Sequence, residues 1–97
     1  FQYITIMRLN YKIQVNSIAD QNIGVAIGED AKTFRNLLFL NKTGKYIIEL
    51  LKNDVSRQEI LQNIQAHFDG DETQVEKEVN LFLKKLIEIG LVDDDII

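Results

Sequence analysis

Two hydrophobic periods divide the chain. Between Tyr11 and Leu40 apolar residues recur at every second position, and from Asn41 to Gly90 they recur at every third and fourth. Tyr11, Ile13 and Val15 alternate with Lys12, Gln14 and Asn16, the pattern of a half-buried strand. Ala19, Asp20, Gln21 and Asn22 supply turn residues, after which Ile23, Val25 and Ile27 alternate with smaller partners up to Gly28. Gly28, Glu29 and Asp30 signal a loop. A third strand is predicted over 34–40, with Phe34, Asn36, Leu38 and Leu40 on one face and Arg35, Leu37 and Phe39 on the other. The second half of that strand is apolar on both faces, which requires cover on both sides or a ligand.

The helical period opens at Asn41, a good N-cap, with Gly44, Ile47, Ile48 and Leu51 on one stripe. Glycine weakens a helix interior, so Gly44 is expected to admit the close approach of another element. Asn53 and Asp54 end this helix. Ser56 and Glu59 form a capping box for a second, whose inner face is Ile60, Leu61, Ile64 and Phe68. Asp69, Gly70 and Asp71 break it. Thr73 and Glu76 read as another capping box, opening the longest helix with Val75, Val79, Phe82, Leu83, Leu86 and Ile89 inward. Gly90 stops it at the C′ position and Leu91 supplies the accompanying apolar contact.

Three strands followed by three helices specify an α+β, winged-helix-like domain: a three-stranded antiparallel sheet packed on a three-helix bundle. Ninety-seven residues make one domain. Met7, the sole methionine, is a candidate start, which would make residues 1–6 upstream sequence. Residues 93–97 read as a solvated acidic tail.

Composition narrows the function. With no cysteine, disulfides, thiolate metal sites and thiol catalysis are excluded. No apolar run is long enough to span a bilayer and no signal-peptide pattern is present, so a cytoplasmic location is the expectation. The net charge of −4 and the scattered basic residues argue against nucleic acid, whose phosphates draw affinity from clustered lysine and arginine. His67 lacks a partner acid or nucleophile and sits near a helix end. A surface or helix-dipole role suits it better than catalysis. Asp69, Asp71 and Glu72 lack the ligand spacing of a calcium loop. Gly24 and Gly28 form no phosphate-binding fingerprint and read as turn residues. No nucleophile, base and orienter occur together, so an enzyme is the least supported class, and nothing calls for a cofactor or metal.

The order Leu40, Asn41, Thr43, Gly44, Ile47, Leu50, Leu51, then Glu59 and Ile60, resembles the PqqD family. Phe68, Asp69, Val75, Glu78, Val79, Phe82, Leu83, Leu86, Gly90 and Leu91 continue the family's order and spacing. The resemblance spans roughly residues 8 to 93 and rests on joint order, since each motif is mostly apolar spacing. Residues 7–28 carry no distinctive family motif. Members of that family are peptide chaperones, also called RiPP recognition elements, of pathways that modify ribosomally made precursor peptides. The resemblance implies capture of a leader peptide as an added strand beside the third strand, over a groove formed with the third helix. It also implies presentation to a modifying enzyme such as a radical SAM protein or a cyclodehydratase. On this chain the candidate peptide-binding residues are Arg35, Leu37 and Phe39 on the strand, with Glu78, Leu81, Phe82, Lys85 and Ile89 on the helix.

Three alternatives compete. Leu37 and Phe39 belong to a core strand covered by the chain's own helices, or the third strand is buried by a second copy in a homodimer. The third alternative is a DNA-binding winged helix, which wants a basic recognition helix. Residues 56–68 carry only Arg57 as a fixed positive charge.

Overall fold

The computed structural model describes residues 6–93. Strand β1 (Ile6–Met7) is followed by β2 (Ile13–Ile18), β3 (Gln21–Ala26), a 3-10 turn (Gly28–Lys32) and β4 (Leu38–Leu40). Helix α1 (Lys42–Leu50), strand β5 (Val55–Ser56), helix α2 (Arg57–His67) and helix α3 (Glu72–Glu88) complete the chain. The strands form an antiparallel sheet in the order β2-β3-β4 and a separate two-stranded pair, β1 with β5. The α+β order and the three helices agree with the sequence. The short β1–β5 pair was not foreseen. It places Ile6 opposite Ser56 and buries Met7.

Hydrophobic burial assembles one core. Ile47, Ile48 and Leu51 of the α1 stripe, Ile60 and Ile64 of α2, and Val79, Leu83 and Leu86 of α3 meet Leu38, Leu40, Leu91 and Val92. Each large aliphatic side chain so buried contributes about 1.5–3 kcal/mol over its exposed state. Among the described residues no polar or charged side chain is buried.

The caps follow the sequence in two helices of three. The Asn41 side chain accepts the Gly44 N–H at 2.7 Å, and Ser56 and Glu59 form the full reciprocal box. The Thr73 box does not form. Helix α3 starts two residues earlier, at Glu72, with Asp71 as an N-cap that makes no side-chain bond, so Thr73 lies inside the first turn. At the other end Gly90 takes φ +82°, its N–H bonds the Ile87 carbonyl, and the Leu91 N–H bonds that of Leu86. This is the Schellman pair of bonds, and Leu91 is fully buried beneath it.

The third strand is shorter than its alternation suggests. Only Leu38–Leu40 pairs with β3, because the Asp30 carbonyl captures the Thr33 and Phe34 N–H groups and holds the preceding chain in a turn. Phe34 is still buried, stacked on Tyr11 with ring centroids 5.3 Å apart, whereas Asn36, assigned to the same face, is exposed where the ladder is lost. Gly24 is likewise no turn glycine. It lies in mid-strand opposite Leu38, and a Cβ there would stand 3.3 Å from the Leu38 Cβ and 3.4 Å from Ile13 Cγ2.

The β2–β3 turn consists of Ala19 and Asp20 alone, Gln21 and Asn22 having joined β3. Ala19 holds φ +56°, a left-handed conformation that its Cβ disfavours. Ala19→Gly is therefore expected to stabilise the domain by about 0.5–1 kcal/mol. Thermal denaturation should show a midpoint raised by roughly 2–6 °C, and an unchanged or lowered midpoint would refute this account of the turn.

Candidate functional site

Which backbone groups face outward from β4 follows from the hairpin. In a two-residue hairpin the closing pair, here Ile18 and Gln21, exchanges backbone hydrogen bonds, and bonded pairs then alternate along the ladder. Asn16 with Ile23 and Gln14 with Val25 are then bonded pairs. The next in the series would be Lys12 with Ile27, and the Ile27 N–H does donate to the Lys12 carbonyl at 3.0 Å. Asn22 and Gly24 consequently point their backbone groups the other way, toward Leu40 and Leu38. Phe39, opposite Ile23, is left in the non-bonded pair. Its N–H and C=O project away from β3 into the open edge of the sheet.

The side chains on that edge are apolar and uncovered. Leu37 is 58% exposed and Phe39 is 71% exposed, so the chain's own helices do not cover them and the core-strand alternative is excluded for both. Leu81 on α3 is 60% exposed. Arg35 is exposed, with its Nε donating to the Lys32 carbonyl at 3.4 Å. Glu78 and Lys85 are exposed on α3, Glu78 accepting from Gln74 Nε2 at 3.3 Å.

Phe82 and Ile89 are half-buried and packed against the core, so each offers only part of its surface to solvent. Phe82 meets the expectation for Gly44. A Cβ on Gly44 would stand 3.2 Å from Phe82 Cε1 and 3.3 Å from the Asn41 cap oxygen. The absent side chain lets the middle of α3 come against the start of α1, at the corner where β4 ends. Glu78, Leu81, Phe82, Lys85 and Ile89 share one helical stripe by spacing, and Phe82 brings the middle of that stripe against the start of α1.

One feature of the expected groove changes. Leu38 and Leu40 face the core, on the side where α3 lies, and Leu37 and Phe39 point to the opposite face. The strand and helix residues therefore do not line a single floor. Leu37 and Phe39 stand exposed beside the open edge of β4, and Leu81 stands exposed on α3.

Among the described residues, no group of three or more His, Asp or Glu side chains stands together as a metal site, and no helix is long and apolar enough to cross a membrane. His67 ends α2 and is bound to Tyr46, whose hydroxyl lies 2.9 Å from Nδ1, which ties α2 to α1. Arg57 donates to Asn80 Oδ1 at 2.9 Å and so links α2 to α3.

Residues 31–92 match the family described as Coenzyme PQQ synthesis protein D (PqqD), which is more than half of the chain. The chain belongs to the PqqD family. No curated protein matches it in sequence. Two solved structures share its fold. One, of TbiB1 in complex with the TbiA(beta) leader peptide, is 21% identical, with a TM-score of 0.65 over 89% of this chain and 94% of that one. The other, of lasso peptide synthetase B1 complexed with the leader peptide, is 19% identical, with a TM-score of 0.64 over 91% of this chain and 98% of that one. The match to the PqqD family begins at residue 31, so it takes in β4 and all three helices and leaves out the β2–β3 hairpin.

Proposed function

We propose that this PqqD-family chain captures the leader region of a ribosomally made precursor peptide as an additional strand on β4 and presents it to a modifying enzyme. The observation that carries the reading is the open backbone of Phe39 on the edge strand, with Leu37 and Phe39 exposed beside it. Strand addition supplies main-chain hydrogen bonds for affinity, while alternate side chains supply selectivity. Both fold relatives are proteins solved with a leader peptide bound. The chain acts by binding, in the cytoplasm where precursor peptides are made. Arg35 and Lys85 orient acidic leader residues and speed encounter more than they add affinity.

Titration of the 15N-labelled chain with synthetic leader fragments from the precursor gene beside its own tests the reading. Amide shifts are expected at residues 35–41 and along 78–89, with Phe39 N–H becoming protected from solvent exchange. Self-association through β4 in the absence of peptide, with no leader binding, would favour a homodimer and reject the capture role.

A further inference from the structure

Away from β4, the segment 8–14 lines a cleft of about 510 Å³ together with Ile27 and Lys52. The cleft borders β2, the opposite edge of the sheet from β4. Its wall is apolar at Leu9, Tyr11, Ile13 and Ile27, and its charged lining residues are Arg8, Lys12 and Lys52. All three are basic in a chain whose fifteen acids outnumber eleven bases. The carboxylates paired with two of them, Asp54 on Arg8 at 3.3 Å and Glu49 on Lys52 at 3.1 Å, stand outside the lining. Those pairs are solvent-exposed, and exposed ion pairs exchange readily for another carboxylate because each is worth little.

The cleft is pre-formed. Leu9 N–H bonds the Leu51 carbonyl at 2.9 Å and Asn10 N–H bonds that of Leu91 at 2.8 Å. Lys12 is held on both sides, its N–H by Asp30 Oδ2 at 2.7 Å and its carbonyl by Ile27 N–H at 3.0 Å. The hairpin parity that frees Phe39 also directs the backbone of Ile13 and Val15 outward from β2. Cations, an apolar wall and free strand backbone thus meet at one place.

We propose that this cleft docks an acidic, extended segment of the partner enzyme, leaving β4 free for the leader. The sheet then bridges the two, with one strand edge for each. The proposal rests on the function proposed above for the identity of the partner, but not for the chemistry of the cleft.

The test uses the full chain carrying Arg8→Gln, Lys12→Gln and Lys52→Gln together. All three side chains are exposed, so the fold is expected to persist, and circular dichroism checks it. Binding to the purified modifying enzyme encoded beside the gene, and separately to the leader fragment, is measured by biolayer interferometry at low and high salt. The expected result is an enzyme Kd raised at least about tenfold, with the salt dependence of the parent lost and the leader Kd within about twofold of the parent. Enzyme binding that is absent in the parent chain, or unchanged in the triple variant, overturns the proposal. Loss of leader binding by the parent, with cation-dependent enzyme docking retained, would reject the capture reading and leave this one standing.

Discussion

Leu37→Asp is expected to weaken leader binding by at least about 30-fold while the domain stays folded. The side chain is exposed on the sheet face turned away from the core, so its removal creates no cavity. Surface changes of this kind shift stability by about 0.5 kcal/mol or less. A buried carboxylate facing an apolar peptide side chain, by contrast, loses the apolar contact and must be desolvated, a cost of about 2–3 kcal/mol or more at the centre of an interface. That is roughly a 30- to 150-fold rise in Kd. Leu81→Asp should match it from helix α3. Because Leu37 precedes β4 and Leu81 lies on α3, the two are expected to meet different residues of the bound peptide, and their losses should add in the double variant. Titration calorimetry beside thermal denaturation reads both quantities. If either variant unfolds, that residue was serving the core. If both bind the leader normally, β4 is not the docking edge.

The helical half was legible because its signals are local and agree with one another. Asn41, the Ser56–Glu59 box and Gly90 each name a boundary, and the stripe of Ile47, Ile48 and Leu51 names the buried face. Thr73 misled because Asp71 competes two residues earlier, and the helix started from the residue that follows the Gly70 break. The strand half was legible in its faces but not in its hydrogen bonds. Alternation over 34–40 put Phe34, Leu38 and Leu40 inside correctly, but Asn36 is exposed, and it could not show that the Asp30 carbonyl would take the Phe34 N–H and shorten the ladder. Nor does alternation tell which residues of an edge strand turn their backbone outward. That parity is set by the two-residue turn at Ala19 and Asp20, on a different part of the chain, and it is what singles out Phe39. The same long-range dependence hid the β1–β5 pair, since strands of two residues have no period to read. The candidate residues Leu37, Phe39 and Leu81 were visible as apolar side chains where cover was lacking. Phe82 and Ile89 were visible as one stripe, but only the packing of Phe82 over Gly44 shows how much of that stripe the fold itself uses.

Leu83→Ala should do the reverse of Leu81→Asp, although only one residue separates the two positions. Leu83 has no solvent exposure and lies in the cluster with Ile47, Ile48, Ile60 and Leu86. Truncating it removes transfer free energy and leaves a cavity that the neighbouring helices only partly close, for a loss of about 3–4 kcal/mol. A domain of this size has about 5–15 kcal/mol in all, so the variant stays folded near room temperature but melts more than about 10 °C lower. Leader binding to the folded fraction should be little changed, because the stripe at Leu81 and Lys85 keeps its place on the helix. A saturating leader fragment should therefore raise the melting temperature of Leu83→Ala by about as much as it raises that of the parent, since ligand stabilisation depends on affinity for the folded state and not on that state's own margin. It should raise that of Leu81→Asp hardly at all. A leader-induced shift that disappears in Leu83→Ala while surviving in Leu81→Asp would place the peptide against the interior side of α3 and reject the edge of β4 as its seat.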